Sequence, residues 1–221
     1  MLKVVVFDGG YGGECFADKL GEELPVVDVI RVIDWRNADK LLMSSRSARR
    51  VAVNALRPYI GKVDLIVLAN HLLTVTSLKF FRRKYKNQRF VGFDLKMPDT
   101  FIKREVIVLT TKAVSKTISY YNYLLRIKRK TKTIILDDWP DKIDDGELTE
   151  LEISEVLDKY LGLEMNSQIE VVLACAQFSD IRAELSDYFG KNVKIYDSFD
   201  ETLRKICKLL NIRGGIGKKT K

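Results

Sequence analysis

The segment "VVLACAQFSD", residues 171–180, runs apolar up to a single thiol, Cys175, and then turns polar. A buried cysteine can be no more than a small hydrophobe, whereas a thiol where a strand opens into a loop can act as nucleophile, acid or base. Two other strand-like runs end in groups that could work with it. Asp8 closes "KVVVFDGG" and either orients a reacting group or caps the glycine turn. His71, the single histidine of the chain, follows Asn70 at the end of "VDLIVLAN". Its ordinary pKa suits proton transfer near neutrality. Adjacent positions at a strand end face opposite ways, so a satisfied structural histidine stands beside the catalytic reading and is the favoured one. The glycines of "DGGYGG" could cradle an anion through consecutive N–H groups. However, G-x-G-x-x-G fails, because Cys15 occupies the third glycine position counted from Gly10, and no Walker lysine pattern is present. The bland alternative is a tight turn with close backbone approach. Cys15 and Cys207 lie in helix-like segments and read as core; Trp35 and Trp139 read as packing residues.

The elements that must position these groups alternate along the chain. Strand-like runs are "KVVVFDGG", "VDVIRVID", "VDLIVLAN", "RFVGFDL", "EVIVLTT", "KTIILDD", "IEVVLACA" and "NVKIYDS". Between them, apolar residues recur at helical spacing in "GECFADKLGEEL", "SARRVAVNALRPYI", "TSLKFFRRKY", "AVSKTISYYNYLLRI", "TELEISEVLDKYLGL", "DIRAELSDYF" and "DETLRKICKLL". Such alternation predicts α/β architecture with mostly parallel sheets and right-handed crossovers, and the apolar strands predict sheets covered on both faces. Ligands of such sheets bind beyond the C-terminal strand ends, where "DGGYGG", "DWRN", "ANHLLT", "TTKA" and "ACAQ" fall. A small residue followed by a polar or thiol residue occurs at Ala69–Asn70 and again at Ala174–Cys175, as a two-domain near-repeat would place them.

Composition narrows the class. A chain of 221 residues that is 46% hydrophobic is globular and long enough for one large or two small domains. Its apolar runs are too short to span a bilayer, and "MLKVVVFDGG" carries no signal-peptide pattern. Three unpatterned cysteines fit a reducing compartment, so a cytoplasmic location is expected. The net charge of +8 is concentrated in "FFRRKYKNQRF", "RIKRKTK" and the tail "RGGIGKKTK". Without a nucleic-acid motif this reads first as a solvated lysine-rich surface, and no specific nucleic-acid partner or membrane partner is expected.

In order and spacing, the strand ends resemble the aspartate/glutamate racemase family. That family's F-D-S-G-x-G-G is similar to Phe7-Asp8-Gly9-Gly10-Tyr11-Gly12-Gly13; its T-x-A-T-V-x-S-x-x-Y to "TTKAVSKTISYY"; its D-G-E-x-T-E to "DDGELTELEI"; its L-G-C-T-H-Y-P-L-L to "LACAQFSDI"; and its I-D-S to "IYDS". The resemblance implies two similar α/β domains related by a pseudo-twofold. These would be residues 1–95 with 200–221, and residues 96–199, with the active-site cleft between them. It also implies two thiols that remove and return an α-proton on opposite faces of an amino acid, and it implies neither cofactor nor metal.

Several positions depart from the pattern. The first family cysteine is Asn70 here, the asparagine and threonine after it are His71 and Leu72, C-T-H becomes Cys175-Ala176-Gln177, and the serine of D-S-G becomes Gly9. The expectation is therefore a degenerate active site of a cofactor-independent, racemase-like isomerase. Cys175 would be the acid/base, Asp8 the orienter and His71 or Asn70 the opposite-face group. Gly9, Gly10, Asn70, Thr110, Thr111 and Gln177 would bind a small amino acid or carboxylate. A non-catalytic binding protein on the same fold is the runner-up. A homodimer is the assembly considered.

Overall fold

The structure is a computed structural model of the chain, described for residues 1–95, 105–127, 129–162 and 169–212, with the side chains of Leu42 and Met43 outside the description. The basic tail "RGGIGKKTK" lies outside the described residues, as does Lys128 of "RIKRKTK". The chain forms two compact units, Met1–Asp94 with Phe199–Lys221, and Leu95–Ser198.

In the first unit, β1 (Leu2–Asp8), α1 (Tyr11–Glu23) and β2 (Val27–Ile33) lead through a 3-10 turn at Trp35–Asn37 to α2 (Ala38–Met43) and α3 (Ser45–Leu56). Then come β3 (Leu65–Leu68), α4 (His71–Lys84) and β4 (Phe90–Gly92). The second unit runs through β5 (Glu105–Thr110), α5 (Lys112–Ser115), α6 (Ile118–Ile127), β6 (Thr131–Ile135), α7 (Trp139–Asp144) and α8 (Glu150–Leu161). It continues with β7 (Ile169–Leu173), a 3-10 turn at Gln177–Ser179, α9 (Arg182–Phe189) and β8 (Lys194–Tyr196); α10 (Ser198–Leu210) follows. Each unit holds a four-stranded, all-parallel sheet, in the orders β2-β1-β3-β4 and β6-β5-β7-β8. These two orders are the same winding repeated. Of the central strands, β3 and β7 are buried throughout, and β1 and β5 are buried over their C-terminal five residues, as strands with helices on both faces must be.

The first core gathers Val5, Phe7, Ile66 and Leu68 against Leu56, Phe81 and Phe90. On the other side of that sheet, α10 adds Phe199, whose ring meets Phe16 at 5.1 Å and Phe93 at 5.3 Å. Thus the C-terminal helix completes a unit that the N-terminus begins. The second core packs Ile107, Leu109, Val171 and Leu173 around fully buried Trp139, whose ring lies 6.0 Å from Phe178. No helix of the described residues is long and apolar enough to cross a membrane.

All eight expected strands are present, and the helices differ in informative ways. The helix expected across "AVSKTISYYNYLLRI" is broken into α5 and α6. At the break the Thr117 hydroxyl accepts the Tyr120 N–H (3.1 Å), which satisfies a donor that a helix start leaves free. Helix α4 begins at His71, several residues before the expected "TSLKFFRRKY", because Asn70 caps it. Trp35, expected to pack, is 52% exposed, and Cys15 is only half-buried.

Candidate active site

In a 2-1-3-4 winding, the helices after the first and third strands leave on opposite sides of the sheet. A crevice opens between the C-terminal ends of those strands. In the first unit this is the gap between β1 and β3, and Asp8 and Asn70 stand there. Asp8 is the last residue of β1 and is 4% exposed. Its Oδ1 accepts the Gly9 N–H (2.7 Å) and Nδ2–H of Asn70 (3.0 Å). The Asn70 Oδ1 accepts the Leu73 N–H (2.9 Å) and so caps α4. One amide thus ties a strand-end carboxylate to the start of a helix, with its oxygen and nitrogen fixed in role. Gly13 lets α1 approach this carboxylate: a Cβ there would lie 2.3 Å from Asp8 Cβ, while one on Gly9 would press on the end of the Leu41 side chain at 2.4 Å and on the Ala38 backbone at 3.2 Å. Gly10 precedes α1 in extended backbone, and its carbonyl accepts the Gly13 N–H. Asp8, Gly9, Gly10 and Asn70 are therefore assembled together.

His71 corrects both expectations made for it. It is the first residue of α4 rather than a strand-end residue, is 3% exposed, and lies edge-on to Phe93 with ring centres 5.5 Å apart. Neither ring nitrogen has a hydrogen-bond partner, so it is not the satisfied structural histidine of the favoured reading. Burial in this apolar setting pulls its pKa down to about 3, because a charged imidazole would lose its hydration there. At neutral pH the ring is uncharged and sealed from solvent. It is out of place as a proton carrier.

In the second unit the equivalent gap is between β5 and β7. Cys175 lies two residues beyond β7 and is 9% exposed. Its Sγ–H donates to Oε1 of Gln177 at 3.1 Å. Gln177, half-buried at the start of its 3-10 turn, also hydrogen-bonds the Asp144 carboxyl at the end of α7. Partial burial raises Asp144 to about 6; the Gln177 hydrogen bond opposes that rise, and the nearby Asp141, Asp180 and Asp145 charges add to it. Thr110 ends β5 fully buried, and Thr111 follows at the N-cap of α5 without using its hydroxyl as a cap. β5 pairs with β7 through Leu109 and Leu173, and the Ala174 N–H donates to the Leu109 carbonyl (2.8 Å). Thr110, Thr111, Cys175 and Gln177 therefore stand at the ends of two neighbouring strands. Asp144 is the addition that sequence reasoning missed, though it lies in the quoted "DDGELTELEI". Its link to the thiol through Gln177 depends on where α7 ends, which the sequence did not indicate.

As acceptor of the S–H, the Gln177 carbonyl fixes the orientation of the thiol. Among the described residues no group of three His, Cys, Asp or Glu is arranged to hold a metal ion.

No family model matches the chain. It is nevertheless similar to glutamate racemases over nearly its whole length. It is 24% identical to that of Clostridium novyi over 203 residues, covering 89% of this chain and 78% of that one. It is 24% identical to that of Vibrio cholerae over 232 residues, covering 99% and 84%. Among solved structures, Escherichia coli glutamate racemase in complex with L-glutamate and the activator UDP-MurNAc-ala superposes with a TM-score of 0.79 at 18% identity, covering 99% of this chain and 86% of that one. The aspartate racemase of Picrophilus torridus gives 0.65 at 15% identity, covering 99% and 96%. The sequence likeness to glutamate racemases thus runs in step with the likeness of fold to glutamate and aspartate racemases. The structural likeness supports the shared α/β fold, with two parallel sheets. In this chain the Asn70 amide holds Asp8, and the Gln177 carbonyl accepts the hydrogen bond of the Cys175 thiol.

Proposed function

We propose that the protein is a cofactor-independent, racemase-like isomerase of a small amino acid or carboxylate, with Cys175 as its acid/base. Its similarity to glutamate racemases over nearly the whole chain supports the reaction class. The single observation that supports the residue is the hydrogen bond from Cys175 to Gln177 at a β-strand end. In this reading the thiol protonates one face of a planar carbanion, and the thiolate takes the α-proton in the reverse direction. Gln177 orients the sulfur, and Asp144 steadies Gln177. Thr110 and Thr111 supply hydroxyl and backbone contacts at the neighbouring strand end of the same unit, while Asp8, Asn70, Gly9 and Gly10 form a fixed polar group at the strand ends of the first unit. With Asn70 in place of a second thiol, proton exchange at Cα is expected to outrun full inversion. A cytoplasmic location and a homodimeric assembly are part of the same proposal.

The test is exchange of the α-proton in deuterated water across a panel of small and acidic amino acids, followed by NMR. Exchange on at least one member should vanish in Cys175→Ser and persist in Cys15→Ser. Exchange that survives Cys175→Ser would remove the thiol from the mechanism. A panel inert with the wild-type protein would overturn the isomerase reading for those substrates.

A further inference from the structure

Basic charge is unevenly distributed along the chain. Residues 40–93 contain twelve Lys and Arg and one acid, Asp64, a net of +11, against +8 for the whole chain, so the remaining residues sum to −3. Among the described residues none of these twelve forms an ion pair, although Lys19, Arg31, Lys142 and Lys205 elsewhere all do. Four of them converge. Arg49 from α3 and Lys79, Arg83 and Lys84 from α4 line one open pocket of about 500 Å³, together with Thr76 and Phe80. No carboxylate lines it.

The helix dipole accounts for part of this. Arg82, Arg83 and Lys84 fall in the last turn of α4, where cations are favoured. It does not account for Arg49, which comes from a different helix, or for Lys79, which lies a turn earlier. Arg49 is held in place as well. Its Nη2 donates to the Thr76 carbonyl (3.0 Å), and its guanidinium lies 4.5 Å from the Phe80 ring centre. Its Nε is buried and has no hydrogen-bond partner. Lys84 Nζ lies 5.5 Å from the Phe80 ring and 5.3 Å from the Tyr85 ring. Four like charges gathered around one concavity repel each other, and an anion relieves that repulsion.

We propose that this α3–α4 pocket binds a phosphate or diphosphate group of a small molecule. A fixed guanidinium with a spare donor, flanked by the exposed cations Lys79, Arg83 and Lys84, matches a compact dianion with several acceptor oxygens. The pocket's size favours a small ligand over a polymer. Phe80 already carries two cations, so it is not free to stack a nucleobase in the way single-strand binders require.

The probe is inorganic pyrophosphate, titrated by calorimetry into the full chain at low and at physiological salt. Lys79→Gln and Arg83→Gln change exposed side chains and should leave the melting temperature in place; Arg49→Gln is the third variant. Each should weaken binding about tenfold or more, the scale of one lost charged hydrogen bond. Arg57→Gln with Lys62→Gln removes two charges from the same basic stretch but outside the pocket, and should change affinity less than about twofold in the presence of screening salt. A single-stranded oligonucleotide should bind only weakly and be displaced by pyrophosphate. The proposal is overturned by absence of saturable pyrophosphate binding, by equal loss in pocket and control variants, or by oligonucleotide binding that pyrophosphate does not displace.

Discussion

His71 offers a clean experiment, because it is the only histidine in the chain and its imidazole signals in NMR need no assignment. Folding moves its pKa from the ordinary 6.5 down to about 3, since the ring is buried beside Phe93 with both nitrogens unpaired. A depressed histidine pKa adds no pH-dependent penalty above about 6.5. Below that the unfolded chain binds a proton that the folded chain refuses, so stability falls with pH until about 3. With about 1.4 kcal/mol per pK unit, the loss is about 2 kcal/mol at pH 5 and about 3 kcal/mol at pH 4. His71→Leu removes this loss. Near neutrality it also replaces two unsatisfied buried nitrogens with carbon, so the variant should match or exceed the wild type there. Urea unfolding of both proteins across this range should show the stability gap widening in favour of the variant as pH falls. The wild-type imidazole should show no titration in the folded protein between about pH 8 and 5. A gap that stays constant, or an imidazole that titrates near its ordinary value, would refute the claim that the ring is sealed and would restore it as a proton carrier.

Other outcomes follow from the same geometry. Gly13→Ala drives a Cβ to 2.3 Å from Asp8 Cβ, whereas Gly21→Ala in the same helix meets nothing within 4 Å. The first should cost about 1–3 kcal/mol and the second should gain about 0.5–1 kcal/mol, and thermal melts showing the same sign for both would refute this account of the glycines. Asn70→Ala loses both the α4 cap and the Asp8 hydrogen bond and should cost about 2–4 kcal/mol; Asn70→Ser keeps a cap and should cost less, so equal denaturation midpoints would count against the dual role. Asp144, raised to about 6 by partial burial, favours the folded state while protonated. Wild-type stability should therefore fall relative to Asp144→Asn as pH rises from about 4 through about 6, and a flat difference would contradict it.

The fold was legible from the sequence because its signals are local. Short β-branched runs between segments of helical spacing already dictate a parallel sheet, and every such run became a strand. The strand ends were equally legible, so Asp8, Asn70 and Cys175 could be named before any coordinates. Helix punctuation was harder, since it turns on single side-chain hydrogen bonds: the Thr117 hydroxyl splits one helix, and the Asn70 amide starts another at His71 rather than later.

What only the tertiary structure decided is the environment of each group. In sequence, His71 is a titratable ring at a strand end. In the fold it faces Phe93 with no partner, and loss of hydration, a property of the surrounding volume, removes its charge. Trp35 and Trp139 are the same residue type at strand ends, yet one is 52% exposed and the other fully buried, because only Trp139 has Phe178 and a closed core against it. The link from Cys175 through Gln177 to Asp144 joins residues more than thirty positions apart. The convergence of Arg49 with Lys79 and Arg83 likewise needs two helices side by side. Sequence determines which groups exist and which element carries them. Burial and the meeting of distant side chains depend on packing, and they set what the groups can do.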